Sequence, residues 1–472
     1  MTGVPGPIVV ILAAGQGTRM HSSLPKLLHP LCGRAMIGWP VAAARAAGAG
    51  RIVVVDAPGE PLREHLEQDV VTVVQERALG TAHAVLAAQA HFSADAPVVV
   101  VNGDVPLITA ETLHELVDAH TAAGAAATVL SAIVDDPSGY GRIVRSPDGG
   151  VERIVETKRP GDATPEQLQI NEISTGILAF AGGTLAGALE QVGTDNAQGE
   201  YYLPDVLPIL SSQGHAVSAH VIGNPQETLG VNDRVDLADV RSIAQRRIAE
   251  RHMLAGVTIV DPASTVIDVD VTIEPDAVIA PFTCLHGRTT IGSGSAVGPG
   301  TTLVDSQIGS GTTILHSVIR EAVVEDNVDI GPFASLRPGT VMRHRSKAGT
   351  FVELKNSDVG AGTKVPHLSY IGDADIGEDT NLGASTVTAN YDGYSKHRTT
   401  IGSRVKTAVD TTFVAPVTIG DDAYTAAGSV ITDDVPDGAL GIARARQQNV
   451  DGYAERRRER MEAERSEPAK RD

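Results

Sequence analysis

The sequence predicts an α/β domain, then a connecting helix, then a parallel β-helix of hexapeptide repeats. Three observations predict it: β-branched runs alternating with alanine-rich stretches in the first half, an amphipathic segment near the middle, and aliphatic residues recurring every six positions thereafter. In the first half, the runs Ile8 to Leu12, Ile52 to Val55, Val70 to Val74 and Val98 to Val101 are separated by helical stretches such as Pro40 to Ala47 and Ala82 to Ala90. That alternation gives a mostly parallel sheet covered by helices, with ligands beyond the carboxyl ends of its strands. The turn around Gly15 and the turn Asn102-Gly103-Asp104 both fall there, so both should face one cleft. Between Asp236 and Ala255, apolar residues at Leu237, Val240, Ile243, Ile248 and Leu254 suit a connecting helix, and Gly256 is its stop signal.

After Gly256 the pattern changes. Ile267, Ile273, Ile279, Leu285, Ile291, Val297 and Leu303 lie six apart, and the phase slips before Ile308 and Ile314. Glycine often follows the aliphatic residue, as at Ile291-Gly292, Ile330-Gly331 and Ile401-Gly402. A six-residue period fits neither a helix nor a heptad. A two-sheet sandwich would instead alternate with period two. In a β-helix each hexad covers one flat face with its aliphatic side chain inward, and three hexads close a triangular coil. The domains read as 1–234, a linker helix over 235–255, the β-helix over 256–450, and a charged, solvated and partly disordered tail over 451–472.

A chain of 472 residues is too long for one core. Aromatics are only 3% against 49 glycines, so small-residue packing carries much of the fold, as a narrow coil requires. With 58 acidic against 38 basic side chains the formal charge is -20, which argues against nucleic acid or an anionic membrane as partner. Cys32 and Cys284 are too far apart in sequence for a metal knuckle or a redox pair. No run is apolar enough to span a bilayer, and no basic region precedes Ile8, so the expectation is a soluble, cytoplasmic protein.

The chemistry of the first half starts at Leu12-Ala13-Ala14-Gly15-Gln16-Gly17-Thr18-Arg19-Met20, with Pro25-Lys26 behind it. Glycines at 15 and 17 let backbone N–H groups approach a triphosphate, and Arg19 and Lys26 add positive charge. Met20 stands where a dinucleotide fingerprint needs Gly or Ala, and no Gly-Lys-Ser/Thr follows, which excludes both common glycine motifs. A magnesium nucleotide also needs hard oxygen ligands, for which Asp104 is the candidate, although an Asp after a strand often serves only as a cap or turn former. Gln75 and Gly80-Thr81 offer an amide and a hydroxyl that could read a nucleobase edge. In the second half, polar content rises between Arg337 and Arg444, and Arg343-His344-Arg345 and Asn390-Tyr391-Asp392-Gly393-Tyr394 break the hexad phase. His367 is the natural general base there, with Glu353 able to orient its ring.

Taken together, the LAAGxGTRM...PK turn, Gln75...Gly80-Thr81, GDVPL at 103 to 107, Gly139-Tyr140-Gly141-Arg142 and Gly230-Val231-Asn232 resemble the sugar nucleotidylyltransferases. With the hexapeptide domain, the chain up to its tail is similar to the bifunctional bacterial N-acetylglucosamine-1-phosphate uridylyltransferases that are also glucosamine-1-phosphate N-acetyltransferases. The resemblance implies a Rossmann-like α/β nucleotidyltransferase domain, a left-handed β-helix and a homotrimer. It also implies synthesis of UDP-N-acetylglucosamine, a cell-wall and lipopolysaccharide precursor, from glucosamine 1-phosphate, acetyl-CoA and UTP with Mg2+. By that resemblance Leu12, Ala13, Ala14, Gly15, Arg19 and Lys26 hold phosphates, and Gln75, Gly80 and Thr81 recognise uracil. Asn102, Gly103, Gly141 and Glu156 line the sugar and ribose region, and Asp104 and Asn232 hold the metal. It likewise implies that His367 deprotonates the amine, Arg337 and Lys355 hold the sugar phosphate, and Tyr370 and Asn381 complete the acceptor pocket. Ala384, Asn390, Tyr391, Ala427 and Arg444 contact acetyl-CoA.

Three positions depart from the family pattern. Ser174 replaces an asparagine, putting a sugar or nucleotide contact in question, and Asp233 replaces a frequent asparagine, adding charge near the metal. Val409 replaces a serine, removing a hydroxyl whose loss would cost acetyl-CoA binding about 0.5–1.5 kcal/mol. Two rival readings remain open at this point. One is a single-activity nucleotidylyltransferase with an oligomerising or regulatory β-helix, and the other is a non-enzymatic scaffold of the same modules.

Overall fold

The computed structural model describes residues 6–146, 149–157, 162–194 and 199–466, and it divides into two compact units. The first comprises residues up to Leu254 together with Val266–Val271. Its strands are β1 (Ile8–Leu12), β2 (Pro30–Leu31), β3 (Arg34–Ala35), β4 (Arg51–Asp56), β5 (Val70–Val74), β6 (Pro97–Asn102), β7 (Ala127–Ile133), β8 (Arg142–Arg145), β9 (Val151–Val155), β10 (Glu172–Ala181) and β11 (Val217–Val221). The main sheet has the order β11-β7-β10-β6-β1-β4-β5, and β2 and β3 form a separate hairpin. Strands β6, β1, β4 and β5 are mutually parallel, as the alternation predicts. Val10, Val53, Val54 and Val100 are fully buried, which is why these strands read as unbroken β-branched runs: helices cover both faces. The departures from an all-parallel sheet are β10, which lies antiparallel between β6 and β7, and the antiparallel pair β8 and β9 at its end.

The helix after the first domain runs from Arg234 to Leu254 and belongs to the first unit, burying Leu237, Val240, Ala244 and Ile248. Its Gln245 side chain donates to the Ile267 carbonyl at 2.8 Å and accepts from the Ile267 N–H at 2.9 Å, tying Val266–Val271 to the same unit. Gly256 follows with φ +96, a left-handed conformation that glycine adopts without strain.

The second unit is a coil of short parallel strands that fall into three sheets, the architecture of a left-handed β-helix. Ile273 pairs with Ile291, Ile279 with Val297 and Leu285 with Leu303, each three hexads along the chain. Each of these residues is buried, so the six-residue period marks the inward stack. The phase slip occurs at the corner of Asp305 (φ +45) and Ser306, where one turn is shorter than its neighbours. Corner hydroxyls are buried too, and they satisfy the bent backbone: Thr283 donates to the Ala280 carbonyl and Thr289 to the His286 carbonyl, both at 2.7 Å.

One sequence break is structural and the other is not. Arg343 sits on a regular coil, bridging Asp358 and Glu325 at 2.7 and 3.0 Å. The segment 390–397 is a genuine excursion, pinned by Asp392, which accepts from the backbone N–H groups of Tyr394 and Ser395 and from His397. The described part of the tail, expected to be solvated and partly disordered, is solvated and helical. Tyr453–Ser466 is a helix, fully exposed as far as Arg465, because its Ala, Glu, Arg and Met residues are strong helix formers and Arg458 and Arg460 each precede a glutamate by four positions. Residues 467–472 lie outside the described residues.

Candidate functional sites

The first site lies beyond the carboxyl ends of β1, β5 and β6. Gly103 N–H donates to the Leu12 carbonyl at 2.8 Å, so the two turns predicted to face one cleft are joined directly. A cavity of about 410 Å³ opens there, lined by Leu12, Ala13, Ala14, Gly15, Lys26, Gln75, Gly80, Thr81, Asn102 and Asp104 among others. Gly17 has φ +60, and a Cβ there would sit 2.5 Å from the Lys26 Cβ, so glycine lets the lysine stem lie along the turn. At Gly15 a side chain would meet nothing, and glycine there leaves open space beside the cavity.

Two pairs organise the charges. Lys26 Nζ lies 2.6 Å from Asp104 Oδ2, with the lysine side chain only 11% exposed. Arg19 donates to Asn232 Oδ1 at 2.8 Å. The Val231 N–H donates to the Asp104 carbonyl at 2.9 Å, which places Asn232 beside the Asp104 turn although they are far apart in sequence. Among the described residues no group of three or more His, Cys, Asp or Glu could hold a metal ion. A cation held by Asp104 and Asn232 alone would need most of its oxygens from phosphate and water, the habit of magnesium in nucleotide sites.

One departure from the family pattern acquires a local explanation. Asp233 Oδ1 accepts from the N–H groups of Val235 and Asp236 at 2.8 and 3.0 Å, capping the following helix. Those donors hold its carboxyl below the ordinary range, so its charge is used at a helix N-terminus. The Ser174 N–H donates to the Gly141 carbonyl at 2.8 Å, and a Cβ on Gly176 would lie 2.7 Å from the Asn102 amide. Gly141, Ser174, Gly176 and Asn102 thus line one side together, and Glu156 Oε1 would be 3.6 Å from a Cβ at Gly141.

In the β-helix, His367 ends one strand and Tyr370 starts the next, with the exposed corner Leu368 (φ +50) between them. His367 is exposed, not packed against aliphatics, and its ring has no hydrogen-bond partner among the described residues. The expected Glu353–His367 contact is absent. Glu353 instead accepts from Arg337 at 2.9 Å, because it lies on the sheet that carries Tyr370 rather than on the strand of His367.

Lys355 pairs in register with Gly372 and reaches Asp373 at 3.5 Å. Asp373 also accepts from Asn356 at 2.6 Å and from Asn390. Burial opposes the charge on Asp373, but these donors and the Lys355 ammonium outweigh it and hold the carboxyl below its ordinary range. Asn390, expected at acetyl-CoA, is buried and donates to Asp373. Gly372 makes this packing possible, since a Cβ there would lie 2.5 Å from the Tyr370 hydroxyl and 2.8 Å from the Asn390 amide. The sequence reading also missed Lys396, which is pushed below the ordinary lysine range by the Lys355 ammonium beside it. Arg337, Lys355 and Lys396 thus concentrate positive charge, with Asp373 anchoring one member.

Along the His367 corner, the Ser385 N–H donates to the His367 carbonyl at 3.2 Å, Asp410 to Ala384 at 2.9 Å and Gly428 to Val409 at 3.0 Å. The corners at Ala384, Val409 and Ala427 thus follow that of His367 on successive coils. Asn381 and Arg444 are exposed, and the exposed Tyr391 anchors its own loop by donating to the Gly393 carbonyl at 2.6 Å.

An α/β sheet with a glycine turn and a cavity at its strand ends, joined in one chain to a hexapeptide coil that carries an exposed histidine and a separate group of cations, defines a nucleotidyl- and acyl-transferase pair. Residues 9–147 match the MobA-like NTP transferase domain. The chain is 52% identical to the bifunctional protein GlmU of Streptomyces coelicolor, over 97% of this chain and 96% of that one. It is 50% identical to those of Streptomyces avermitilis (97% and 96%) and Mycolicibacterium vanbaalenii (95% and 93%). The chain belongs to the bifunctional GlmU family, transferases that make UDP-N-acetylglucosamine through uridylyltransferase and acetyltransferase activities. No helix among the described residues is long and apolar enough to cross a membrane.

Proposed function

We propose that the first unit transfers uridylyl from UTP to N-acetylglucosamine 1-phosphate and that the His367 corner acetylates glucosamine 1-phosphate. The observation that carries the first assignment is the convergence of Lys26, Asp104, Gln75 and the Gly15 turn on one cavity. There a phosphate oxygen of the sugar attacks the α-phosphorus and pyrophosphate leaves, without a protein nucleophile. Lys26 and Arg19 offset phosphate charge, Gln75 with Gly80 and Thr81 faces the base, and Asn102, Gly103, Gly141 and Glu156 face the sugars. Asp104 and Asn232 would hold Mg2+, which supplies charge neutralisation on the phosphates when bound.

In the second unit, neutral His367 takes a proton from the acceptor amine, the nitrogen attacks the thioester carbonyl of acetyl-CoA, and the thiolate of CoA leaves. Arg337, Lys355 and Lys396 support this reading as a cradle for the sugar phosphate, with Tyr370 and Asn381 beside it. Ala384, Tyr391, Ala427 and Arg444 would meet acetyl-CoA. Incubation with glucosamine 1-phosphate, acetyl-CoA, UTP and Mg2+ should yield UDP-N-acetylglucosamine, free CoA and pyrophosphate by mass spectrometry. Free CoA without a nucleotide sugar would refute the first assignment, and a nucleotide sugar only from pre-acetylated acceptor would refute the second.

A cytoplasmic homotrimer completes the proposal. The corner leading to His367 carries exposed His316, Phe333, Phe351 and Leu368. His316 stacks on Phe333 and Phe333 on Phe351, with ring centroids 5.6 and 5.4 Å apart. Such an apolar stripe on a hydrophilic coil favours cover by another copy. Light scattering should return three times the 49.0 kDa chain mass, and Phe333→Glu should shift it downward. A single-chain mass at working concentration would refute the trimer.

A further inference from the structure

We infer that His83 fixes the amide orientation of Gln75 and thereby decides which nucleobase edge the cavity accepts, an inference that rests on reading this cavity as the UTP site. Gln75 is 5% exposed and lines the cavity. Its Nε2 lies 3.0 Å from the Gly80 carbonyl oxygen and 3.1 Å from His83 Nδ1. A carbonyl oxygen only accepts, so the Gln75 atom facing it is the amino nitrogen. Both amide hydrogens are then committed, one to Gly80 and one to His83. His83 Nδ1 must accept, which makes the ring neutral with its proton on Nε2. The atom Gln75 has left to offer is Oε1, which accepts from no donor among the described residues.

The backbone of the same turn supplies the complementary group. The Gly80 N–H has no acceptor among the described residues, and Gly80 holds φ +115 with a Cβ position only 2.4 Å from the Tyr201 carbonyl oxygen. This turn is clamped from behind. Ala82 N–H donates to Tyr201 O at 2.9 Å, Tyr201 N–H to Leu79 O at 2.8 Å, and Leu203 N–H to Thr81 Oγ1 at 2.9 Å. The Tyr201 ring also flanks His83, with centroids 6.3 Å apart. An acceptor beside a donor matches the N3–H and C4=O of uracil. Cytosine presents the inverse pattern, an acceptor at N3 beside an amino donor. To receive cytosine, Gln75 would have to flip and turn its oxygen toward the Gly80 oxygen and His83 Nδ1, which would leave the Gly80 oxygen unpaired and require the imidazole proton to move from Nε2 to Nδ1. His83 is thus a positioning residue that acts through Gln75.

The test compares kcat/KM for UTP and CTP, which differ only at this edge, on each enzyme preparation, so the active fraction cancels from the ratio. His83→Leu should reduce the UTP preference about five- to tenfold, the loss of one ordinary hydrogen bond. His83→Asn, whose amide oxygen can accept near the place of Nδ1, should retain most of it. If His83→Leu does not fold, His83→Phe decides in its place. Gln75→Leu separates the two levels: if it leaves the preference unchanged, the base is not read through Gln75 and the underlying site reading fails. If Gln75→Leu lowers the preference while His83→Leu leaves it within about twofold, or if His83→Asn falls as far as His83→Leu, the positioning role of His83 is overturned.

Discussion

Replacing His367 with alanine is expected to lower kcat for acetyl transfer about 10²–10⁴-fold, the usual worth of a positioned general base, while uridylyl transfer is unchanged. The ring is exposed, ends its strand and makes no internal hydrogen bond, so its removal leaves no cavity and no orphaned partner. Loss of rate therefore does not come through loss of stability, and a thermal melt of His367→Ala should overlay that of the parent. Since Glu353 is engaged by Arg337, Glu353→Gln should act mainly on acceptor affinity through Arg337 rather than on the base. The assay is release of free CoA with glucosamine 1-phosphate. Unchanged CoA release in His367→Ala would remove the imidazole from the mechanism.

The coil was legible because its physics repeats. Each inward position sees the same narrow interior, so Ile279, Leu285 and Ile291 announce the same environment every six residues. The first cavity was legible at Gly17, Lys26 and Asp104 because a left-handed turn packed on a lysine stem demands glycine and a part-buried ammonium demands a carboxylate. Asp373 escaped notice for a specific reason. Corners of this coil take left-handed conformations that Asp and Asn tolerate, as at Asp305, Asn327, Asn356 and Asp379, and Asp373 at φ +51 looks like one more of them. Only the third dimension shows that its carboxylate collects Lys355, Asn356 and Asn390. Lys396 lies in an excursion whose path no periodicity reports. His83 is hidden in an alanine-rich helix that reads as packing, and its partner Gln75, eight residues earlier, lies outside that helix, so helical spacing does not pair them. The Glu353–His367 pairing failed because spacing along a hexad coil does not say which of three faces a side chain occupies.

Asp104→Ala is expected to lower kcat for uridylyl transfer about 10²–10³-fold while sparing acetyl transfer, because it removes the carboxylate that stands beside Lys26 in the cavity, where a cation would meet phosphate. A second effect follows from the 2.6 Å Lys26 contact. With Asp104 gone, the lysine ammonium, 11% exposed, loses its counter-charge and turns wholly toward phosphate. UTP binding should therefore fall much less than turnover, separating a lost transition-state contribution from a lost binding one. Asp104→Asn keeps an oxygen but not the charge, and should recover part of the rate at raised Mg2+ because it weakens rather than deletes the ligand. A chelator added to the parent enzyme should reproduce the Asp104→Ala phenotype, with pyrophosphate release stopped and CoA release intact. Equal loss of both activities in Asp104→Ala would point instead to a structural role for the Lys26–Asp104 pair, and full pyrophosphate release in chelator would remove the cation from this site.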